Sequence, residues 1–336
     1  MSKRHAMSNR RQLRAAKHRG WSTAAVLCFA LAACSNGGPG SVAPSQAGQY
    51  PGWPGSGTVV ASGDFIPVVV SSEVGIGHSR LLITIQDRAG SQLASPDLAV
   101  EESFYDLAAS VDTPVTQVAG TFRWLIPDSK AIYTSYADLA RAGDWGIEVT
   151  GHEAGKPDRT ARVTFSVREQ TTTPAIGADA PPSDTLTATD PAALVAISTD
   201  TNPDPAFYTL SVKDAIAAGK PFVLVFATPL FCTSGLCGPA LDLVKQVAPD
   251  YIGRVNFLHV EPYVLQVSDG QTQPVLDVTG YPKSVRAAVE WGLPTEPWVF
   301  VVDAQGKVAF KFEGMAYPDE LTIALDAIIA HDALQP

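Results

Sequence analysis

Residues 226–240 read FATPLFCTSGLCGPA and place two cysteines, Cys232 and Cys237, between two different kinds of pattern. Before them, 221–226 (PFVLVF) is an unbroken apolar run, short enough for a strand buried on both faces. After them, 240–251 sets Leu241, Val244, Ala248 and Tyr251 along one helical face. Gly235 permits a turn between the cysteines, and Pro239 suits the first turn of a helix. The expected local order is strand, loop, helix, with both thiols in the loop. Cys237 falls at or near the helix N-cap, where free N–H groups and the helix dipole favour a thiolate. Cys237 is therefore expected to attack and Cys232 to resolve. A structural staple and a metal clasp stay open as other readings. A staple here would close only six residues, and short loops gain little chain entropy from a cross-link, which favours chemistry.

Further along, strands and helices alternate. Residues 210–218 read as a helix stopped by Gly219, 255–260 as a strand, 283–291 as a helix and 297–302 as a strand. The turn Asp303-Ala304-Gln305-Gly306 leads into a strand over 308–312, and 319–329 closes as a helix. This order predicts an α/β sheet covered on both faces. Cys237-Gly238-Pro239 opens a helix, Thr295-Glu296-Pro297-Trp298 opens a strand, and Lys311-Phe312-Glu313-Gly314 ends one. With these stretches in this order, residues 206–334 resemble the thioredoxin superfamily. The resemblance implies an α/β thioredoxin-like domain, a cis bond before Pro297 facing the cysteines, and thiol–disulfide exchange through Cys232, Cys237 and Pro297. The chain also departs from that family: its second motif cysteine is Ala240 here, and the buried acid of its first core strand is Val225.

Residues 58–168 have a different pattern. FIPVVV (65–70), LLITI (81–85), GDWGIEVTG (143–151) and ARVTFSV (161–167) are apolar runs or alternate with the two-residue period of half-buried strands. Short strands at this spacing predict an all-β sandwich. The GDW strand start and the final V-x-F-x-V resemble immunoglobulin-like accessory domains of bacterial envelope proteins. Residues 34–57, rich in Gly, Ser and Pro, are too poor in apolar side chains to fold and read as a flexible spacer. Residues 169–205 form a second, Pro/Thr/Asp-rich linker. The expected fold class is thus multidomain: an immunoglobulin-like sandwich followed by an α/β thioredoxin-like domain.

The first 33 residues hold seven Lys or Arg and no acid, and end in the apolar run TAAVLCFALAA (23–33). That run is well short of the roughly 20 residues a membrane span needs and reads as a signal peptide. Leu31-Ala32-Ala33-Cys34 resembles the lipobox of bacterial lipoproteins, which implies cleavage before Cys34 and a lipid on its sulfur. The chain is then expected outside the cytoplasm, anchored to a bacterial cell membrane through acylated Cys34. Losing the signal removes seven of 24 bases and leaves 17 against 34 acids. Such a surface repels phosphate backbones, so nucleic acid is excluded as a partner. Cys28 leaves with the signal and Cys34 is acylated, so Cys232 and Cys237 remain, and an oxidising compartment favours a disulfide between them. Exported or cell-envelope proteins carrying thiols or disulfides are the expected partners, and no cofactor is expected.

Supporting groups come from FLHVEPY (257–263), where His259 and Glu261 alternate onto one strand face. Glu296 beside Pro297, together with Tyr263 and Glu313, completes the candidates. Two thiolates and an imidazole (Cys232, Cys237, His259) would suit Cu(I). The alternative function is accordingly a redox-inactive or copper-binding module with a structural disulfide. No Ser-His-Asp set, phosphate loop or zinc signature is present in the sequence.

Overall fold

The alternating runs of the first half become eight strands: β1 (Val59–Ala61), β2 (Ile66–Val69), β3 (Gly77–Gln86), β4 (Leu98–Asp106), β5 (Thr116–Ile126), β6 (Lys130–Leu139), β7 (Gly143–Glu153) and β8 (Arg159–Val167). The structure is a computed structural model and describes residues 49–55, 59–61, 63–268 and 270–332. The expected signal peptide, Cys34 and most of the 34–57 spacer lie outside the described residues.

The eight strands form one sheet in the order β1-β8-β7-β4-β5-β6-β3-β2, with every neighbouring pair antiparallel. Strand β5 explains why it stays one sheet. Its first half pairs with β4, ending at Gly120 opposite Val100, and from Thr121 onward it pairs with β6. At the handover a Cβ on Gly120 would lie 2.8 Å from Glu102 Oε1 and 3.1 Å from Tyr133 Cβ, so a larger residue would crowd the bend. On the opposite side a parallel bridge joins Gly75 to Arg168, with the Arg168 N–H donating to the Val74 carbonyl at 2.8 Å. The sheet therefore curls into a nearly closed barrel. Its interior is filled by Phe65, Leu81, Ile83, Phe104, Trp145 and Phe165, all buried.

Part of the stretch expected as a spacer lies against this barrel. Trp53 is 4% exposed, meets Tyr105 with ring centroids 4.8 Å apart, and donates from Nε1 to the Val111 carbonyl at 2.9 Å. The Arg162 guanidinium lies 4.6 Å from its ring centroid. This seat exists because Gly146 has no side chain: a Cβ there would fall 2.3 Å from the Trp53 ring. Gly146→Ala is expected to cost about 1–3 kcal/mol, the usual cost of overpacking. A blue shift of tryptophan emission retained with an unchanged denaturation midpoint would refute that packing.

The second half contributes α1 (Pro191–Leu194), α2 (Val212–Ala217), β9 (Phe222–Phe226), α3 (Cys237–Val247), β10 (Asn256–Val260), β11 (Leu265–Ser268), β12 (Gln271–Pro274), α4 (Arg286–Glu290), β13 (Trp298–Val302), β14 (Val308–Glu313) and α5 (Pro318–Asp332). A four-stranded sheet runs β10-β9-β13-β14, and β11 and β12 form a separate hairpin. Strand β9 is central and wholly buried. Val223 and Val225 pack with Leu241 and Val244 of α3 and Leu321 and Leu325 of α5. Phe222, Leu224 and Phe226 point the other way, toward Trp291 and Phe300.

The expected fold class is overturned. Among the described residues the protein is predominantly β, with 37% in strands and 17% in helices. An immunoglobulin-like sandwich would separate the strands into two stacked sheets, whereas here β5 hydrogen-bonds to both halves and holds them together. The expected α/β thioredoxin-like domain is likewise not what forms. In its region only β9 and β10 pair in parallel, the other two pairings of the sheet are antiparallel, and α4 is five residues long. All described residues fall within one compact unit, Ser45–Pro336. Arg80 of β3 reaches Glu320 of α5, with Nε–Oε1 and Nη2–Oε2 both at 2.8 Å, and its remaining donors bond the carbonyls of Glu313 and Met315. No described helix is long and apolar enough to cross a membrane.

Candidate thiol site

Strand β9 delivers the chain to the loop at the edge of the apolar layers. The loop then folds back through short bonds of its own. Phe231 N–H donates to the Thr228 carbonyl at 3.2 Å, and Gly235 N–H to the Cys232 carbonyl at 3.2 Å. Gly235 has φ +75°, a conformation that costs a glycine little, and this turn brings Cys232 back over the start of α3. Cys237 is the first residue of that helix, and its N–H donates to Cys232 Sγ at 3.2 Å. A free helical N–H is thus satisfied by a sulfur where an Asp or Ser commonly serves.

Both cysteines are free thiols, and their surroundings differ. Cys232 is half-buried; Cys237 is fully buried. The hydrogen bond from Cys237, with help from Ser234 and the N–H groups of Cys237 and Leu236, pulls the Cys232 thiol down to about 5. Ser234 Oγ lies 3.1 Å from Cys232 Sγ. The hydrogen bond to Cys232, followed by burial, pushes the Cys237 thiol far up. The sequence put the thiolate on Cys237 because that residue opens the helix. In the folded loop the helix N-terminus instead serves Cys232, whose sulfur sits beyond it, while the Cys237 side chain packs into the core beside Val225 and Leu241.

Pro297 follows a cis peptide bond from Glu296 and is buried. A cavity of about 570 Å³ brings together Ser234 and Leu236 of the cysteine loop, Glu296, Pro297, Met315, and Leu125 from the barrel. Leu125 and Leu236 both pack against the cluster of Ala240, Met315 and Tyr317, so the barrel forms one wall of the site. Glu296 is partly buried, and burial, reinforced by the charge of Cys232, raises its carboxyl above the usual range. Tyr263 Oη donates to Glu296 Oε2 at 3.0 Å. Burial, then the neighbouring Glu296 and the Cys232 thiolate, raise the Tyr263 phenol. Glu313 faces the same cavity but accepts from the Ser72 N–H at 2.8 Å. Glu313 also lines a larger cavity of about 720 Å³; neither cavity has a cysteine in its lining, and the smaller one reaches the cysteine loop through Ser234 and Leu236.

His259 and Glu261 are placed elsewhere. His259 Nε2 lies 2.9 Å from the Ala227 carbonyl, which can only accept, so Nε2 carries the proton. Its Nδ1 then accepts from Tyr208 Oη at 2.7 Å, and Tyr208 Oη is also 2.8 Å from Ser198 Oγ. Burial lowers the imidazole to about 4, and both ring nitrogens are engaged. The Cu(I) set of Cys232, Cys237 and His259 is therefore not assembled, and no group of three His, Cys, Asp or Glu suited to a metal occurs among the described residues. Glu261 Oε1 accepts from the N–H and hydroxyl of Thr199, the N–H at 2.6 Å, and burial raises its carboxyl to about 7. Thr199 Oγ1 in turn accepts from Leu230 N–H at 3.2 Å, so Glu261 braces the cysteine loop from below. The backbone of Thr228 also bonds the Cys237 sulfur. Sequence reasoning passed over Ser234 and Thr199. Ser234 was legible from its place between the cysteines, whereas nothing in the sequence ties Thr199 to Glu261.

No family model matches the chain, and no curated protein matches it. Among solved structures, the crystal structure of an engineered protein aligns at 13% identity with a TM-score of 0.20. That alignment spans 31% of this chain and 19% of the other, and a likeness so slight carries no argument about fold or function.

Proposed function

We propose that the chain is a membrane-anchored extracytoplasmic protein that exchanges thiols and disulfides with exported proteins through Cys232 and Cys237. The observation that carries this reading is the asymmetry of the pair: an accessible sulfur held on a helix N–H, next to a buried thiol that keeps its proton. The lipobox-like residues 31–34 support the anchor.

In the exchange, the Cys232 thiolate attacks one sulfur of a partner disulfide, that S–S bond breaks, and the departing thiolate takes a proton. Cys237 then loses its proton and attacks Cys232 Sγ, releasing the second partner thiol. The pair ends as a disulfide and two electrons have passed to the partner; run backward, the same steps oxidise a dithiol. An attacking thiolate with a lowered pKa, backed by a second thiol within reach, is what such a sequence requires.

Alkylation by iodoacetamide tests the assignment. Cys232 is expected to react with a midpoint near pH 5, its reactivity present above that pH and lost below it as the thiolate is protonated. Cys237 is expected to stay unmodified in the folded protein. A midpoint near 8.5, the value of an ordinary thiol, would sink the proposal. So would a reduction potential of the pair below about −300 mV, the range of inert structural bridges.

A further inference from the structure

We infer that Glu296 is the proton carrier of the thiol pair, protonating the thiolate that leaves in the first exchange step and deprotonating Cys237 before the second. This rests on the exchange reading above and deepens it.

The position comes first. Glu296 immediately precedes Pro297 and lines the same cavity as Ser234 and Leu236 of the cysteine loop. Tyr263 Oη holds its Oε2 at 3.0 Å, which fixes the carboxyl without neutralising it. On its other side Glu296 lines a second cavity, of about 510 Å³, with Tyr263 and Gly292. Tyr263 bonds it, Glu313 and Lys130 share the walls of the first cavity, and Cys232 and Cys237 act on it through their electrostatics from the adjoining loop. His259 and Glu261 are committed to other partners.

The electrostatics then set an order of events. A thiolate on Cys232 and a carboxylate on Glu296 repel each other, and each raises the other's hold on a proton. The charge on Cys232 favours the protonated form of Glu296. Attack on a partner disulfide consumes that charge, because Cys232 Sγ becomes one half of a neutral mixed disulfide. Glu296 is then free to release its proton, and the new partner thiolate beside it is the acceptor. The carboxylate left behind takes the proton of Cys237, whose buried thiol has no route to ionise alone. Cys237 Sγ attacks Cys232 Sγ, the mixed disulfide breaks, and the last thiolate recovers the proton from Glu296. Every proton released is taken up within the site.

Two neutral disulfides that differ in their leaving group separate this role from a structural one. The thiol leaving from 2-hydroxyethyl disulfide is basic and needs a proton, whereas 2,2′-dithiodipyridine expels a group that needs none. Stopped-flow measurement on the full chain at pH 7 is expected to show Glu296→Gln slowing the first reaction about tenfold or more, the lower range of general acid catalysis. The same variant is expected to leave the first exchange with dithiodipyridine unchanged, which also shows that Cys232 is intact, and to slow only release of the second thiopyridone, which needs Cys237 deprotonated. Glu296→Asp should recover part of the loss. Equal slowing of the first exchange with both reagents, or slowing with neither, overturns the inference while the exchange reading stands. A wild-type protein whose Cys232 reacts with neither reagent refutes the exchange reading and this inference with it.

Discussion

Cys232→Ser is expected to abolish exchange, whereas Cys237→Ser is expected to stop after the first step and hold the partner as a mixed disulfide. The scale of the first loss is that of removing a nucleophile, about a thousandfold or more. The second variant keeps the helix N–H on the Cys232 sulfur and offers a serine hydroxyl as donor in place of the Cys237 thiol, so Cys232 still attacks, but it lacks the thiol that would release the partner. Non-reducing electrophoresis with mass spectrometry of the adduct reads both outcomes. Trapping by Cys232→Ser in place of Cys237→Ser would mean that the buried thiol attacks, contrary to its burial and its bond to Cys232. The asymmetry matters because exchange rates follow both thiolate fraction and access, and only Cys232 combines them.

Glu320→Ala is expected to destabilise the chain by about 3–5 kcal/mol, the cost of leaving a buried charge without its partner. The side chains of Arg80 and Glu320 are 5% and 6% exposed, and Tyr136 Oη adds a further bond to Glu320 Oε1 at 2.8 Å. Arg80 also lies over the Phe312 ring at 5.6 Å, so it links the barrel to both β14 and α5. Chemical denaturation monitored by tryptophan emission measures the loss. The double change Arg80→Met with Glu320→Leu should be less harmful than Glu320→Ala, because it removes both charges together. A single-variant loss under about 1 kcal/mol, the worth of an exposed pair, would show that the two parts do not depend on this bridge. The link also bears on the site, since Leu125 packs on the same cluster as Leu236 only while the barrel stays in place.

Much of the local structure was legible. The run FVLVF became β9, the helix after Pro239 became α3, and the alternation around Trp145 became β7. These elements follow from local spacing, which a chain carries wherever it folds. The hairpin β11–β12 was missed because LQVSDGQTQP has few apolar side chains, although its Asp269-Gly270 pair is a recognised turn signal. The cis bond before Pro297 was expected from resemblance and is present. The fold class was misjudged because it depends on pairing between distant strands. Whether strands such as β5 divide between two sheets or join them into one is decided by which neighbours they meet, and that is not encoded in periodicity.

The same division runs through the thiol site. By itself the sequence determined that two cysteines lie between a buried strand and a helix, with a glycine able to turn the loop between them. It also determined which carboxylates and phenols were available, including Glu296 and Tyr263. Only the tertiary structure decided which sulfur receives the helix N–H, because that depends on how far the loop folds back at Gly235. It also decided that Glu296 lines the cavity walled by the cysteine loop while His259 is spent on Tyr208 and Ala227. A side chain's identity fixes the chemistry it can perform, but its burial and its neighbours set its charge, and both come from contacts between residues far apart in sequence.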